Sequence, residues 1–156
     1  MNKDKSKQIK SLDKSNFYFS QGYEKKLMGD FNGALADYSR AISINPNDSD
    51  YYYFRGWLRA KTVFSDLPGA AADLQMLNRL EPNNVQNLLD LSTVYSRMLY
   101  PFEAFKLLDV AQRIEPENGN IVWWRGIFTI KSGKLPVGCR YVREARRMKA
   151  SDYNAT

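Results

Sequence analysis

Small, aromatic and turn residues recur at a nearly constant spacing along most of this chain, and the spacing is clearest in residues 16–46. The recurring positions of that unit are Gly22, Ala34, Tyr38, Ala41 and Pro46. Two helical patterns fit between these positions, with a turn at Gly29-Asp30 and a stop at the proline, which cannot continue a helix. The spacing therefore predicts an all-α fold built from helical hairpins.

The same unit returns three more times along the chain. The boundaries place repeats at about 15–48, 49–84, 85–118 and 119–150. Gly56 and Ala70 are 14 residues apart where Gly22 and Ala34 are 12 apart, so the second repeat holds about two extra residues, which we place in its FSDLPG segment. The fourth repeat ends without the closing proline.

The two ends of the chain lie outside these repeats. Residues 1–14 carry five Lys, two Asp and little apolar surface, which favours a flexible basic tail. The first helix is predicted from about Asn16 to Met28 and the second from about Asn32 to Ile44. Residues 151–156 are expected to form a short C-terminal tail.

The repeat resembles the tetratricopeptide repeat, a helix-turn-helix unit of about 34 residues, and is most similar to small bacterial proteins of that family. The residues at the family's spacings are Tyr18, Gly22, Ala34, Tyr38, Ala41 and Pro46. Gln21 and Lys25 stand where the family has Leu and Tyr. The resemblance covers residues 15–150 and implies a right-handed superhelical solenoid of about four repeats, whose first helices line a concave face that binds extended or helical peptides.

A 3.6-residue period projects five residues of each first helix toward that concave face. The first two repeats contribute Asn16, Phe19, Ser20, Tyr23, Lys26, Asp50, Tyr53, Phe54, Trp57 and Lys61. The last two contribute Gln86, Leu89, Asp90, Thr93, Arg97, Asn120, Trp123, Trp124, Ile127 and Lys131. From these we selected as candidate groove residues Phe19, Tyr23, Tyr53, Phe54, Trp57, Asp90, Arg97, Trp123, Trp124 and Ile127.

Seven of the twenty projected residues are aromatic, and exposed Tyr and Trp carry much of the binding energy at protein interfaces. The other interpretation is that several of these rings complete the core or meet a second copy of the chain. One subgroup of the family clamps a terminal carboxylate with Lys, Asn and Arg. The matching places here hold Phe19 and Tyr23, then Phe54, then Gln86 and Asp90, so that clamp is absent and a hydrophobic or amphipathic segment is favoured.

The whole chain has a net charge of +6, and much of its positive charge is concentrated near the C-terminal end. Its last helix is predicted to present a basic face of Arg140, Arg143, Arg146 and Arg147. Such a face can attract nucleic acid, an anionic membrane or an acidic partner, but more often it is solvated. Nucleic acid is disfavoured as a partner, because no nucleic-acid module is recognisable and the aromatic residues do not interleave with the Arg residues.

The composition excludes the commonest catalytic and metal-binding arrangements. The chain has no His and one Cys, Cys139, so it offers no Cys/His zinc site, internal disulfide or His-dependent catalytic couple. We expect Cys139 to be a packing residue, and we expect no cofactor, no metal and no enzymatic activity. No apolar run is long enough for a signal peptide or membrane span, which favours a cytoplasmic protein; a removed signal sequence would leave no trace, so export stays open.

Together these patterns predict a non-enzymatic module that binds a protein or peptide partner in an aromatic concave groove. Two alternatives stay open. A self-associating scaffold would bring Trp123, Trp124 and the uncapped last repeat against a second copy. A secretion-chaperone-like protein would hold an apolar segment of a client in the groove.

Overall fold

Paired helices joined by short turns make up the described part of the chain. The structure, a computed structural model, describes residues 3–61 and 65–148, with side chains described from Lys10 onward in the first helix. In these residues the helices are α1 (Lys3–Leu27), α2 (Phe31–Ile44), α3 (Ser49–Lys61), α4 (Leu67–Leu80), α5 (Val85–Arg97), α6 (Pro101–Ile114), α7 (Gly119–Lys131) and α8 (Leu135–Arg147). The predicted all-α class is confirmed. Each predicted repeat corresponds to one hairpin: α1/α2, α3/α4, α5/α6 and α7/α8.

Side chains and prolines at the helix ends explain where most of these helices begin and stop. Asp30 and Asp66 cap α2 and α4 by accepting hydrogen bonds from the backbone N–H of Gly33 and Gly69, each at 2.9 Å. Pro101 opens α6, as predicted, at a position whose N–H has no helical partner. The second helices of the first three repeats stop directly before Asn45-Pro46, Glu81-Pro82 and Glu115-Pro116.

The predicted insertion lies in the second hairpin. Five residues separate α3 from α4, whereas three separate the two helices of each other hairpin, so the extra two residues fall between Lys61 and Leu67. Part of the FSDLPG segment is therefore already helical. Residues 62–64 of this connection lie outside the described residues.

The start of α1 differs from the prediction. The helix begins at Lys3 rather than near Asn16, so residues 3–14, which we expected to form a tail, continue the first helix. Neither Pro nor Gly interrupts residues 3–21, and the Lys, Gln and Leu residues there are good helix formers. Ser15 adds a tertiary reason, because it is fully buried and its Oγ lies 3.1 Å from the hydroxyl of Tyr51. Residues 1–2 and the C-terminal tail 151–156 lie outside the described residues.

The chain divides into two compact units, Met1–Pro82 and Asn83–Thr156. In the first unit, Ala34, Tyr38 and Leu58 form a buried cluster against which Phe19, Leu35 and Phe54 pack. In the second unit, a larger cluster is buried, namely Val85, Leu88, Leu89, Ala104, Leu108, Ala111, Ile121 and Phe128. Each unit therefore has an apolar cluster of its own.

A glycine in the left-handed region lies at the middle of two of the hairpin turns. Gly29 has a φ of 81° and Gly133 a φ of 85°, whereas Leu99 occupies the equivalent place in the α5/α6 turn with a φ of 63°. An L-residue in this region costs about 1–2 kcal/mol. The Leu99 side chain is 84% exposed, so packing offsets little of that cost.

We therefore expect Leu99→Gly to raise the free energy of unfolding by about 0.5–1 kcal/mol, since relief of the strained backbone exceeds the added entropy of the unfolded chain. The reciprocal change Gly133→Leu should lower it by about 1 kcal/mol. Urea unfolding followed by circular dichroism measures both. A Leu99→Gly variant less stable than the parent would show that the leucine side chain makes a stabilising contact.

Candidate functional site

Five of the candidate groove residues lie together in the first unit. They are Phe19 and Tyr23 on α1, and Tyr53, Phe54 and Trp57 on α3, and we call this set the aromatic face. Phe54 is its centre, because its ring centroid lies 5.2 Å from that of Phe19, 5.8 Å from Tyr23 and 5.4 Å from Tyr53, in edge-to-face arrangements. Such edge-to-face pairs are favourable for aromatic rings and hold the two first helices of this unit together.

The aromatic face is partly core and partly surface. Phe19 also contacts Tyr38 and Tyr51, at centroid distances of 5.7 and 5.0 Å, and with Phe54 it packs on the buried cluster of the unit. Tyr23 and Trp57 remain 40% and 42% exposed. Phe19 and Phe54 therefore help to complete the core, whereas Tyr23 and Trp57 are accessible on the surface above it.

Two lysines lie over the accessible rings. Lys26 Nζ is 4.1 Å from the ring centroid of Tyr23, 5.3 Å from that of Phe54 and 5.7 Å from that of Trp57. Lys61 Nζ is 5.9 Å from the centroid of Trp57. These distances fall within the range of cation–π attraction, so the two ammonium groups are held next to the aromatic surface.

A buried tyrosine lies beneath this surface. Tyr38 is fully buried, and in the part of the chain that the structure describes its hydroxyl has no hydrogen-bond partner. Burial, and then the neighbouring Tyr23, raise the pKa of Tyr38 to about 12. The hydroxyl therefore stays protonated at neutral pH and contributes a desolvated donor under the aromatic face.

The candidate residues of the second unit divide in the same way. Trp124 and Ile127 pack on the buried cluster of that unit, and Trp124 also meets Phe128 at 5.6 Å. Trp123 lies edge-on to Trp124, at a centroid distance of 4.7 Å, and is half-buried. Asp90 accepts a hydrogen bond from Gln86 at 2.9 Å, while Arg97 is exposed at the end of α5.

The basic face on α8 consists of solvent-facing side chains. Arg140, Arg143, Arg146 and Arg147 are all exposed. In the residues that the structure describes, no ion pair involves any of the four. Cys139, on the same helix, is half-buried.

Two buried aspartates, which the sequence analysis did not single out, join the helices of the first unit. Asp37 accepts from Lys25 and from Arg40, the latter at 2.9 Å. Asp73 accepts from Arg55 Nη2 at 2.6 Å and from Arg59 Nη1 at 2.8 Å. Both aspartates come three residues after the repeat alanine, Ala34 or Ala70. This shared spacing is the feature of the sequence from which the two aspartates could have been identified. They connect the second helix of each hairpin to the first.

Other kinds of site find no support in the described residues. Across residues 3–61 and 65–148, no group of three or more His, Cys, Asp and Glu side chains could hold a metal ion. None of the helices in these ranges combines the length and hydropathy that crossing a bilayer requires.

Comparison with known proteins supports the tetratricopeptide resemblance. Residues 22–62 match the sequence profile of the TPR repeat. The fold is similar to that of MamA (residues 41 to the end) from Desulfovibrio magneticus RS-1, with a TM-score of 0.75, 14% identity, and coverage of 90% of this chain and 78% of that one. TTC0263, a thermophilic TPR protein of Thermus thermophilus, gives a TM-score of 0.65 at 19% identity, with coverage of 86% and 74%. YrrB, described as a TPR protein with an unusual peptide-binding site, gives 0.66 at 18% identity, with coverage of 84% and 66%. No curated protein matches the sequence.

We expect Asp73→Asn to lower the free energy of unfolding by about 3 kcal/mol, because it leaves the Arg55 and Arg59 guanidinium groups without their buried counter-ion. Asp109→Asn is the control: Asp109 also pairs with an arginine, Arg125, but its side chain is 62% exposed, and the expected loss is below about 1 kcal/mol. Urea unfolding measures both. Equal losses would contradict a special role for the buried aspartate.

The raised pKa of Tyr38 predicts a pH dependence. Between pH 10 and 12 the tyrosine ionises in the unfolded chain but not in the folded one, so it reduces stability by about 1.4 kcal/mol for each pH unit in that window. Tyr38→Phe removes this contribution and the unpartnered hydroxyl. The variant should be at least as stable as the parent at pH 8 and lose less stability above pH 10.

Urea unfolding at several pH values tests this prediction. Tyr100→Phe, at a half-exposed ring, is the control and should follow the parent. Parallel curves for the parent and Tyr38→Phe would show that Tyr38 does not titrate in this window.

Proposed function

We propose, from the premise that this chain contains a tetratricopeptide repeat in residues 22–62 and has the fold of tetratricopeptide-repeat proteins, that it is a non-enzymatic protein-interaction module. Its aromatic face binds a hydrophobic or amphipathic peptide segment of a protein partner. The observation that carries the proposal is the exposure of Tyr23 and Trp57 on a base of packed rings.

The support begins with the physical character of this surface. Phe19 and Phe54 pack on the core and hold the neighbouring rings in place, so Tyr23 and Trp57 are supported from below. Large aromatic side chains on a firm base bury much area at little conformational cost when a partner covers them. A segment placed there would gain most from apolar side chains.

The aromatic residues at the clamp positions decide against one kind of peptide. A clamp for a terminal carboxylate needs Lys and Asn at places that hold Phe19, Tyr23 and Phe54 here. An internal segment of a partner, rather than a chain end, is therefore the ligand we favour. YrrB, which has a similar fold, is described as having an unusual peptide-binding site, and this is compatible with such variation within the fold.

The second unit contributes fewer candidates. Trp124 and Ile127 are accounted for by packing on its core, and Trp123, Asp90 and Arg97 remain the candidate binding residues of that unit. A second copy of the chain is the alternative partner for Trp123 and Trp124, and a client segment held before export is the alternative ligand for the aromatic face. The first alternative uses the tryptophans of the second unit, and the second alternative uses the aromatic face.

The test compares binding by three folded proteins: the parent, Tyr23→Ala/Trp57→Ala, and a control, Phe31→Ala/Phe102→Ala. The control also removes two exposed aromatic rings but leaves the aromatic face intact. A partner captured from lysate is purified and titrated against all three. We expect affinity to fall at least about tenfold for the first variant, since loss of one hot-spot residue alone costs about 2 kcal/mol, and to stay unchanged for the control.

A direct readout accompanies the titration. The indole N–H signal of Trp57, assigned by comparison with Trp57→Phe, should shift in a two-dimensional NMR spectrum when the partner is added. Equal affinity for all three proteins and an unmoved Trp57 signal would contradict the proposal. Light scattering over a range of concentrations decides whether the partner is a second copy.

A further inference from the structure

The first helices of the first unit each end with two basic residues that have different surroundings. The last turn of α1 carries Lys25 and Lys26, and that of α3 carries Arg59 and Lys61. Lys25 pairs with the buried Asp37, and Arg59 pairs with the buried Asp73. One basic side chain of each helix therefore has its charge neutralised by a buried aspartate.

The other basic side chain of each helix lies at the aromatic face. Lys26 is half-buried among Tyr23, Phe54 and Trp57, and Lys61 is exposed beside Trp57. Both ammonium nitrogens come within 6 Å of the same Trp57 ring centroid, at 5.7 and 5.9 Å. In the described part of the chain, neither lysine takes part in an ion pair.

The nearest acids along these helices do not neutralise the two lysines. Glu24 is exposed on α1, and Asp50 is exposed in the first turn of α3, eleven positions before Lys61 in the sequence. Neither of these acids forms an ion pair in the ranges that the structure describes. The surface around Trp57 therefore combines apolar rings with two lysines that form no ion pair within the described residues.

From this arrangement we propose that the segment bound at the aromatic face is acidic and apolar: it places an Asp or Glu carboxylate beside Lys26 and Lys61, next to a Leu-like or aromatic side chain on Tyr23 and Trp57. The inference rests on the function proposed above and specifies its ligand. The positions differ from those of the family's carboxylate clamp, because they lie in the last turns of the first helices.

Charge decides between the three kinds of segment that could cover the rings. A segment with Lys or Arg would bring a third positive charge against Lys26 and Lys61 and be repelled. A neutral segment would cover Lys26 without supplying a counter-ion, which makes its desolvation costly. A carboxylate forms charge-assisted hydrogen bonds with the ammonium groups while its neighbour covers the rings.

The test uses three immobilised peptide libraries of equal length. Every peptide contains a fixed Leu-Phe pair, and the two flanking positions are Glu in the first library, Gln in the second and Lys in the third; Ala, Ser, Thr and Gly are mixed elsewhere. We expect the Glu library to retain the protein about fivefold to tenfold more than the Gln library, the amount that two partly exposed ion pairs can supply. The Lys library should retain it least.

Matched variants locate the effect. Lys26→Gln/Lys61→Gln should bring retention on the Glu library down to that on the Gln library. Lys106→Gln/Lys134→Gln is the control, because it also removes two exposed lysines and neither residue belongs to the aromatic face or to the residues projected toward the concave face. The control should behave as the parent.

The remaining outcomes separate the two proposals. The Glu and Gln libraries could retain the protein equally, or the Lys library could retain it most. If Tyr23→Ala/Trp57→Ala also loses binding, either result would overturn the acidic ligand and leave the aromatic face as the binding site. Retention that Tyr23→Ala/Trp57→Ala does not change, or no retention on any library, would overturn both.

Discussion

The close approach of two helices within a hairpin, seen most clearly in α1/α2 and α7/α8, is the constraint on which the structure depends. A Cβ atom added at Gly22 would lie 2.8 Å from the ring of Tyr38, and one added at Gly138 would lie 2.7 Å from the carbonyl oxygen of Gly126. Real Cβ contacts are not that short, so the backbones can meet only at small residues. The large side chains then fill the space beside each crossing, and this sets which faces are buried and which rings are left at the surface.

The parts of the fold that the sequence could predict are those set by neighbouring residues, such as helix caps and prolines. Hairpin boundaries follow from Asp30, Asp66 and Pro101 at helix starts and from prolines after helix ends, and each of these acts within a few residues. The long α1 could not be predicted in the same way. Its N-terminal half has a tail-like composition, while one reason for its helical state, the contact between Ser15 and Tyr51, joins residues 36 positions apart.

The sequence could predict which residues share the candidate face, but not which of them are buried and which are exposed. Helical periodicity placed Tyr23, Phe54 and Trp57 on one face, because it depends on sequence spacing alone. It could not separate Phe54, which lies against the core, from Trp57, which stays exposed, since that depends on how closely α1 and α3 pack. Nor could it show that Lys25 turns toward Asp37 while Lys26 lies over aromatic rings.

The buried aspartates give the two units different cores. Asp37 and Asp73 come three residues after the repeat alanine in the first unit, whereas the same step in the second unit leads from Ala104 to Leu107 and from Gly138 to Tyr141. Hydration of charged groups weakens on heating, which lowers the cost of keeping an ion pair buried. The cost of keeping these ion pairs buried in the first unit therefore falls as temperature rises, whereas Leu107 and Tyr141 at the corresponding positions of the second unit carry no such temperature dependence.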